Sequence, residues 1–150
     1  LNDNHPYEEV SYDIIPLENI NQDIGLGSVG FLKKKTDFNK FLKIVKSKLN
    51  CKVIKHSDIV FEKVQKIAVL GGSGSFAIDF AISKNAEVLI TSDLKYHDFF
   101  KANKKIILVD VGHYESEQYT KTLIFDYLKK KLPNFEIILS KINTNPIKYF

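Results

Sequence analysis

Three short polar stretches hold the side chains best suited to acid–base, nucleophilic or metal chemistry. They are Gly71-Gly72-Ser73-Gly74-Ser75, Ser92-Asp93-Leu94-Lys95-Tyr96-His97-Asp98, and Asp110-Val111-Gly112-His113-Tyr114-Glu115-Ser116-Glu117. In the third, a helix starting near Tyr114 would put His113 and Glu117 four positions apart on one face. An imidazole nitrogen and a carboxylate so placed can chelate one divalent cation or bracket two. The same spacing also serves as a plain surface hydrogen bond between helix side chains, so the pair alone does not choose. A closed zinc-type site needs three or four protein ligands. His97, Asp93, Asp110 and Glu115 are the other candidates within the chain.

The glycine stretch has a second chemistry open to it. Gly72-Ser73-Gly74-Ser75-Phe76-Ala77 fits the G-x-G-x-x-A form of the dinucleotide fingerprint, and Asp93 follows about 20 residues on. Pyrophosphate would then sit on a helix amino terminus, with Asp93 on a ribose hydroxyl. Glycine and serine also gather where a strand passes tightly into a helix, with no ligand involved. His5-Pro6-Tyr7-Glu8-Glu9 adds a histidine and two acids near the amino terminus, and His56 beside Lys55 reads as surface.

From Lys66 onward, strands and helices alternate. Strands are expected at Ile67–Leu70, Val88–Thr91, Ile106–Val111 and Phe135–Ser140, with helices at Phe76–Ser83, Lys95–Lys101 and Glu115–Leu132. This is the pattern of an α/β layer, a mostly parallel or mixed sheet with helices on its faces. Three of the strands are continuous apolar runs, as burial on both sides requires. All three polar stretches follow such strands, so they converge at the carboxyl ends, where open α/β sheets place their sites.

The first third follows a different pattern. Tyr7–Leu17 alternates like a half-buried strand, and glycines at 25, 27 and 30 mark a loop before a short Val29–Leu32 strand. Thr36 is a natural N-cap for a helix with Phe38, Phe41, Leu42, Val45 and Leu49 on one face. A strand Cys51–Ile54 follows. Residues 1–64 therefore read as the remainder of a small α+β portion, and residues 65–150 as the α/β lobe.

Composition narrows the function classes. The chain has 150 residues and 44% hydrophobic content, enough for an ordinary core. It has no apolar run near the roughly 20 residues of a membrane-spanning helix and no signal-peptide pattern. A cytoplasmic protein is expected. The single cysteine, Cys51, supports neither a disulfide framework nor a cysteine-rich zinc site. The net charge of +4 comes from lysine alone, and the missing arginines count against sequence-specific nucleic-acid recognition. Residue 1 is leucine and methionine is absent, so we expect further sequence upstream.

Six motifs taken in order resemble the NIF-three-like family of dinuclear metal-centre proteins, often labelled homologues of type 2 GTP cyclohydrolase I. They are His5-Pro-Tyr-Glu-Glu-Val-Ser-Tyr-Asp13, Gly25-Leu-Gly-Ser-Val-Gly30, Gly71–Ser75, Thr91-Ser-Asp-Leu-Lys-Tyr-His-Asp98, Asp110–Glu117 and Asn143-Thr-Asn-Pro146. The resemblance implies a carboxy-terminal half: residues 1–64 ending a PII-like or CutA-like insert, and residues 65–150 a lobe carrying half of a metal site. It implies that His113 and Glu117 ligate metal. His97, Asp93, Lys95 and Ser73 become candidates to stand behind the ligands or face substrate. The implied full-length protein is a homohexamer holding two divalent ions, zinc, iron or manganese. It would act as a metal-dependent hydrolase on a small molecule, with a nucleotide suggested by the family label. Ser92 departs from the glycine usual in relatives. A nucleotide-binding module using Gly71–Ser75 and a non-catalytic regulatory adaptor are the alternatives.

Overall fold

The computed structural model describes residues 5–7, 10–16 and 24–150. In chain order the elements are β1 (Ser28–Asp37), α1 (Phe38–Lys48), β2 (Lys55–His56) and β3 (Lys63–Ser73). A 3-10 turn, Ser75–Ala77, leads into α2 (Ile78–Ser83), followed by β4 (Val88–Ser92). A longer 3-10 helix, Tyr96–Ala102, precedes β5 (Ile107–Asp110), α3 (His113–Glu117) and α4 (Thr120–Lys131).

One sheet runs in the order β1-β3-β4-β5-β2. Its centre, β3-β4-β5, is parallel, whereas β1 on β3 and β2 on β5 are antiparallel. The α/β class and the mixed sheet agree with the sequence pattern. Strands from both sides of residue 64 share this sheet.

The apolar runs behave as two-faced burial demands, because successive strand side chains point to opposite faces. Val88, Ile107 and Val109 join one core cluster with Val64, Ile67 and the α1 residues Phe38, Phe41 and Val45. Leu89, Leu108 and Ala68 join the opposite cluster with Ile78 and Ala81 of α2 and Ala102 of the 3-10 helix. One helix therefore covers one face, and two short helical segments cover the other. Cys51 lies in the first cluster, and burial, reinforced by the charge of Glu115, pushes its thiol up to about 11.

Several boundaries differ from the pattern for local reasons. Asp37, not Thr36, caps α1, since its carboxylate accepts from Lys40 N at 2.9 Å while Thr36 pairs with Val64 in the sheet. The strand expected at Cys51–Ile54 lies at Lys55–His56, where pairing with Asp110 and Val109 of β5 is available. Residues 10–16 form no strand, and Tyr12 and Ile14 are exposed; Glu8, Glu9 and Leu17 lie outside the described residues. Alternation marks the two faces of a strand but cannot supply its partner. Phe135–Ser140 likewise remains irregular. The long helix expected at Glu115–Leu132 starts at His113 and breaks at Gln118 and Tyr119. Their side chains reach the α1 end instead, Gln118 Nε2 donating to Leu49 O and Tyr119 Oη to Lys48 O, both at 2.8 Å.

Phe38, the first residue of α1, is 1% exposed and packs into the core under the sheet, with its ring edge-on to His56. Truncation there should leave an apolar void. Phe38→Ala is expected to lower unfolding free energy by about 3–5 kcal/mol, read from urea titration. Asp37→Ala, which removes only the cap, should cost about 1 kcal/mol in the same measurement.

Candidate metal centre

The three parallel strands end side by side, with Ser73 paired to Ser92 and Thr91 to Asp110. At each end the chain enters the left-handed region: Gly72 at φ 70°, Asp93 at φ 57° and Gly112 at φ 90°. Aspartate tolerates this conformation better than most residues, and glycine carries no penalty there. The turns lift three segments to the same rim.

Asp110 ties two of those segments together. Its carboxylate accepts from Leu94 N and Gly112 N, each at 3.0 Å, and pairs with Lys55 Nζ at 2.9 Å. Those are the backbone groups immediately after Asp93 and immediately before His113. A third tie fixes the glycine segment. Ser116 Oγ accepts from Gly72 N at 2.9 Å and donates to His113 O at 2.8 Å, while Thr91 Oγ1 donates to Gly72 O at 3.0 Å.

On this frame His113 stands between two carboxylates. Its Nδ1 lies 2.6 Å from Asp93 Oδ2, and its Nε2 lies 3.1 Å from Glu117 Oε2, the spacing that one helical turn provides. Ser73 Oγ donates to the same Asp93 oxygen. The Ser73 hydroxyl and the His113 ring together hold the Asp93 carboxyl below its ordinary value, and the Asp93 contact raises the imidazole of His113 above its own. The sign of the linkage follows. The histidine contribution is complete below pH 6.5 and fades as pH rises through the folded value. The aspartate contribution is complete above pH 3.8 and fades as pH falls through its lowered folded value. Both are therefore complete between those limits.

The donor set suits a divalent cation. A carboxylate on one ring nitrogen fixes the imidazole's tautomer and orientation, leaving the other nitrogen to ligate. Asp93 is placed to take the first role, and Nε2 and Glu117 could offer the donor pair. Glycine at position 72 makes room for that carboxylate, because a Cβ there would lie 2.5 Å from Glu117 Oε1. Among the described residues no three His, Cys, Asp or Glu side chains close a complete cage. Alone, the pair could offer two donors to a cation.

The remaining sequence candidates separate. Ser73 and Asp93 meet His113 through hydrogen bonds. His97 instead packs against Tyr96 and Phe100, with ring centroids 5.2 and 6.4 Å away. Lys95 is exposed, and its backbone N–H donates to Asp98. Asp110 has its oxygens committed to the two loops and Lys55. Glu115 is buried with Oε1 3.4 Å from Asn145 Nδ2, toward the carboxy-terminal segment. His5 is exposed near the amino terminus. The Gly72 and Gly74 N–H groups are occupied internally, by Ser116 Oγ and Ser92 O, and the α2 helix that follows has only six residues. Such a loop does not offer the free N–H cradle of a dinucleotide site. Sequence reasoning missed the roles of Asp110, Lys55 and Ser116. A carboxylate at the end of an otherwise apolar buried strand was the available signal for the first.

Two outcomes test this geometry. In metal-stripped protein, Asp93→Asn should move the His113 NMR titration midpoint down toward 6.5. In full-length protein, Gly72→Ala, strained by its positive φ as well as its contact with Glu117, should reduce metal retention measured by elemental analysis, with the fold retained by circular dichroism.

Comparison with known proteins agrees with this fold. Residues 3–146 match the model of the family described as Duf34/NIF3 (NGG1p interacting factor 3). A Bacillus subtilis protein named GTP cyclohydrolase 1 type 2 homolog is 37% identical over 150 residues, covering 97% of this chain and 40% of the relative. A Staphylococcus epidermidis protein of the same name is 33% identical, covering 98% and 41%. The chain thus spans about two-fifths of the length of these relatives. The crystal structure of a Bacillus cereus protein related to NIF3 superposes with a TM-score of 0.73 at 33% identity, covering 99% of this chain and 42% of that one. A Staphylococcus aureus structure gives 0.76 at 30% identity, covering 99% and 49%. The strand-end motifs, the sheet that carries them and the match along almost all of its length agree: the chain belongs to the Duf34/NIF3 family.

Proposed function

We propose that this chain supplies His113 and Glu117 to a dinuclear divalent-metal centre that acts as a metal-dependent hydrolase. The observation carrying this reading is that Asp93 holds Nδ1 of His113 at 2.6 Å while Nε2 faces Glu117 at 3.1 Å. Imidazole and carboxylate donors suit zinc, iron or manganese. When bound, paired divalent ions supply an activated water and polarise the bond attacked.

The chain's own residues do the positioning. Asp93, accepting from Nδ1–H, would leave the Nε2 lone pair available to a cation. Ser73 holds Asp93 in place, and Gly72 leaves Glu117 the room to approach. Asp110 keeps the Asp93 and His113 loops at a fixed separation. Further ligands would come from outside these 150 residues, which fits relatives more than twice as long. The relatives' name suggests a nucleotide among candidate substrates. We assign the full-length protein to the cytoplasm as a homohexamer. Among the described residues no helix is long and apolar enough to cross a membrane.

The test is metal content. In full-length protein, His113→Ala and Glu117→Ala should each lower bound metal about tenfold or more, with circular dichroism unchanged and hydrolysis lost in parallel. Full occupancy in both variants would remove these residues from the centre. The 150-residue chain alone should lose its metal on dialysis against a mild chelator, since two protein ligands leave a site open. Retention near one equivalent would show the site to be self-contained.

A further inference from the structure

A groove of about 520 Å³ opens beside the histidine–glutamate pair, a size typical of small-molecule sites. His113 and Glu117 are among its lining residues. Part of its lining is the irregular segment running from Ser140 to Ile147, pinned at two places. Lys121 Nζ donates to Ser140 O at 3.2 Å, and Asn145 Nδ2 reaches buried Glu115 at 3.4 Å. Between and just beyond these pins the backbone is held by its own side chains, Asn145 N donating to Asn143 Oδ1 at 2.9 Å and Ile147 N to Asn145 Oδ1 at 3.0 Å. The wall is therefore built, although it contains no helix or strand.

Charge decides what this groove can hold. Lys121 is the single lysine among its lining residues, and Glu117 the single carboxylate. Ile142 and Ile147 give the wall an apolar surface, and both are solvent-exposed. An ammonium has three donors, and one of them goes to Ser140, leaving two for a ligand. With Glu117 holding a metal, the groove would carry one cation there and a second at Lys121, beside the apolar side chains of Ile142 and Ile147. The first of these cations rests on the metal reading above.

We propose that this groove is the substrate subsite, that Lys121 anchors an acidic group, and that Ile142 and Ile147 take a flat or apolar body. The ligand class is a small organic anion, phosphorylated or carboxylated. Lys121 binds and does not react.

The test uses full-length protein with ¹³C-methyl-labelled isoleucine, titrated with phenyl phosphate, benzoate and neutral benzyl alcohol. Saturable shifts at Ile142 and Ile147 are expected with at least one of the anions, and the tighter anion identifies the acidic group. Lys121→Gln should weaken that binding about tenfold, the loss expected for one charge-assisted hydrogen bond, and Lys121→Arg should largely restore it. Unshifted Ile142 and Ile147 resonances in the free Lys121→Gln protein would show that the wall survives; their collapse would make Lys121 a structural clamp and overturn the proposal. Equal binding of benzyl alcohol, no binding of either anion, or an unaffected Lys121→Gln affinity would also overturn it. Repeating the titration after chelation, with metal measured on the same samples, separates the two readings. A persisting Lys121 effect in a protein whose metal content ignores His113→Ala would leave the anion subsite standing and the metal assignment lost.

Discussion

The geometry of the site depends on one buried carboxylate that does no chemistry itself. Asp110 is 3% exposed, and its oxygens are taken by the N–H groups of Leu94 and Gly112 and by Lys55. A buried carboxylate without such partners would carry a large desolvation cost. With them it becomes a staple between two strand-end loops. The backbone beside Asp93 and the backbone beside His113 are held by the same group, so the 2.6 Å contact between the two side chains follows from main-chain positions. Lys55 reaches Asp110 only because β2, two residues long, pairs with β5 at that point. A short edge strand thereby serves the rim of the sheet.

The rest of the fold can be read as what keeps that rim still. β4 and β5 are buried on both faces, which fixes their register and the height at which their ends emerge. α1 closes one face, and its carboxyl end receives Gln118 and Tyr119, the residues that follow α3. The helix presenting His113 and Glu117 is thus moored at both ends, to the sheet through Gly112 and Ser116 and to α1 through Gln118 and Tyr119. Five residues of helix would be marginal alone. Here tertiary hydrogen bonds hold it.

The central part of this arrangement was legible in the sequence. Continuous apolar runs identified the parallel strands, and the polar stretches after them identified the rim. The four-residue spacing placed His113 and Glu117 on one face. What escaped was whatever depends on a partner distant in sequence. The pairing of Asp93 with His113 spans 20 residues, Lys55 with Asp110 55 residues, and Gly72 with Ser116 44. Periodicity reports which face a side chain occupies, not who meets it there. His97 shows the same limit from the other side: it sits in the motif stretch with Asp93, yet the 3-10 geometry turns it to Tyr96 and Phe100. The Ser140–Ile147 segment carries no periodic signal, because its form is set by side-chain-to-backbone bonds of Asn143 and Asn145.

Cys51 gives the molecule a built-in counter of its own openings. It is the only thiol in the chain, it lies in the core beneath α1, and at neutral pH its pKa of about 11 leaves almost none of it as thiolate. Its neighbours Leu49 and Lys48 are the acceptors that moor the segment after α3. A labelling reagent can reach the sulfur only when that corner separates from the sheet. When closing outpaces labelling, the rate reports the equilibrium fraction of molecules in which that corner is open; only when labelling outpaces closing does it report how often the mooring lets go. A residue outside the site thus reports, one sulfur per chain, on the corner at which the segment after α3 is moored.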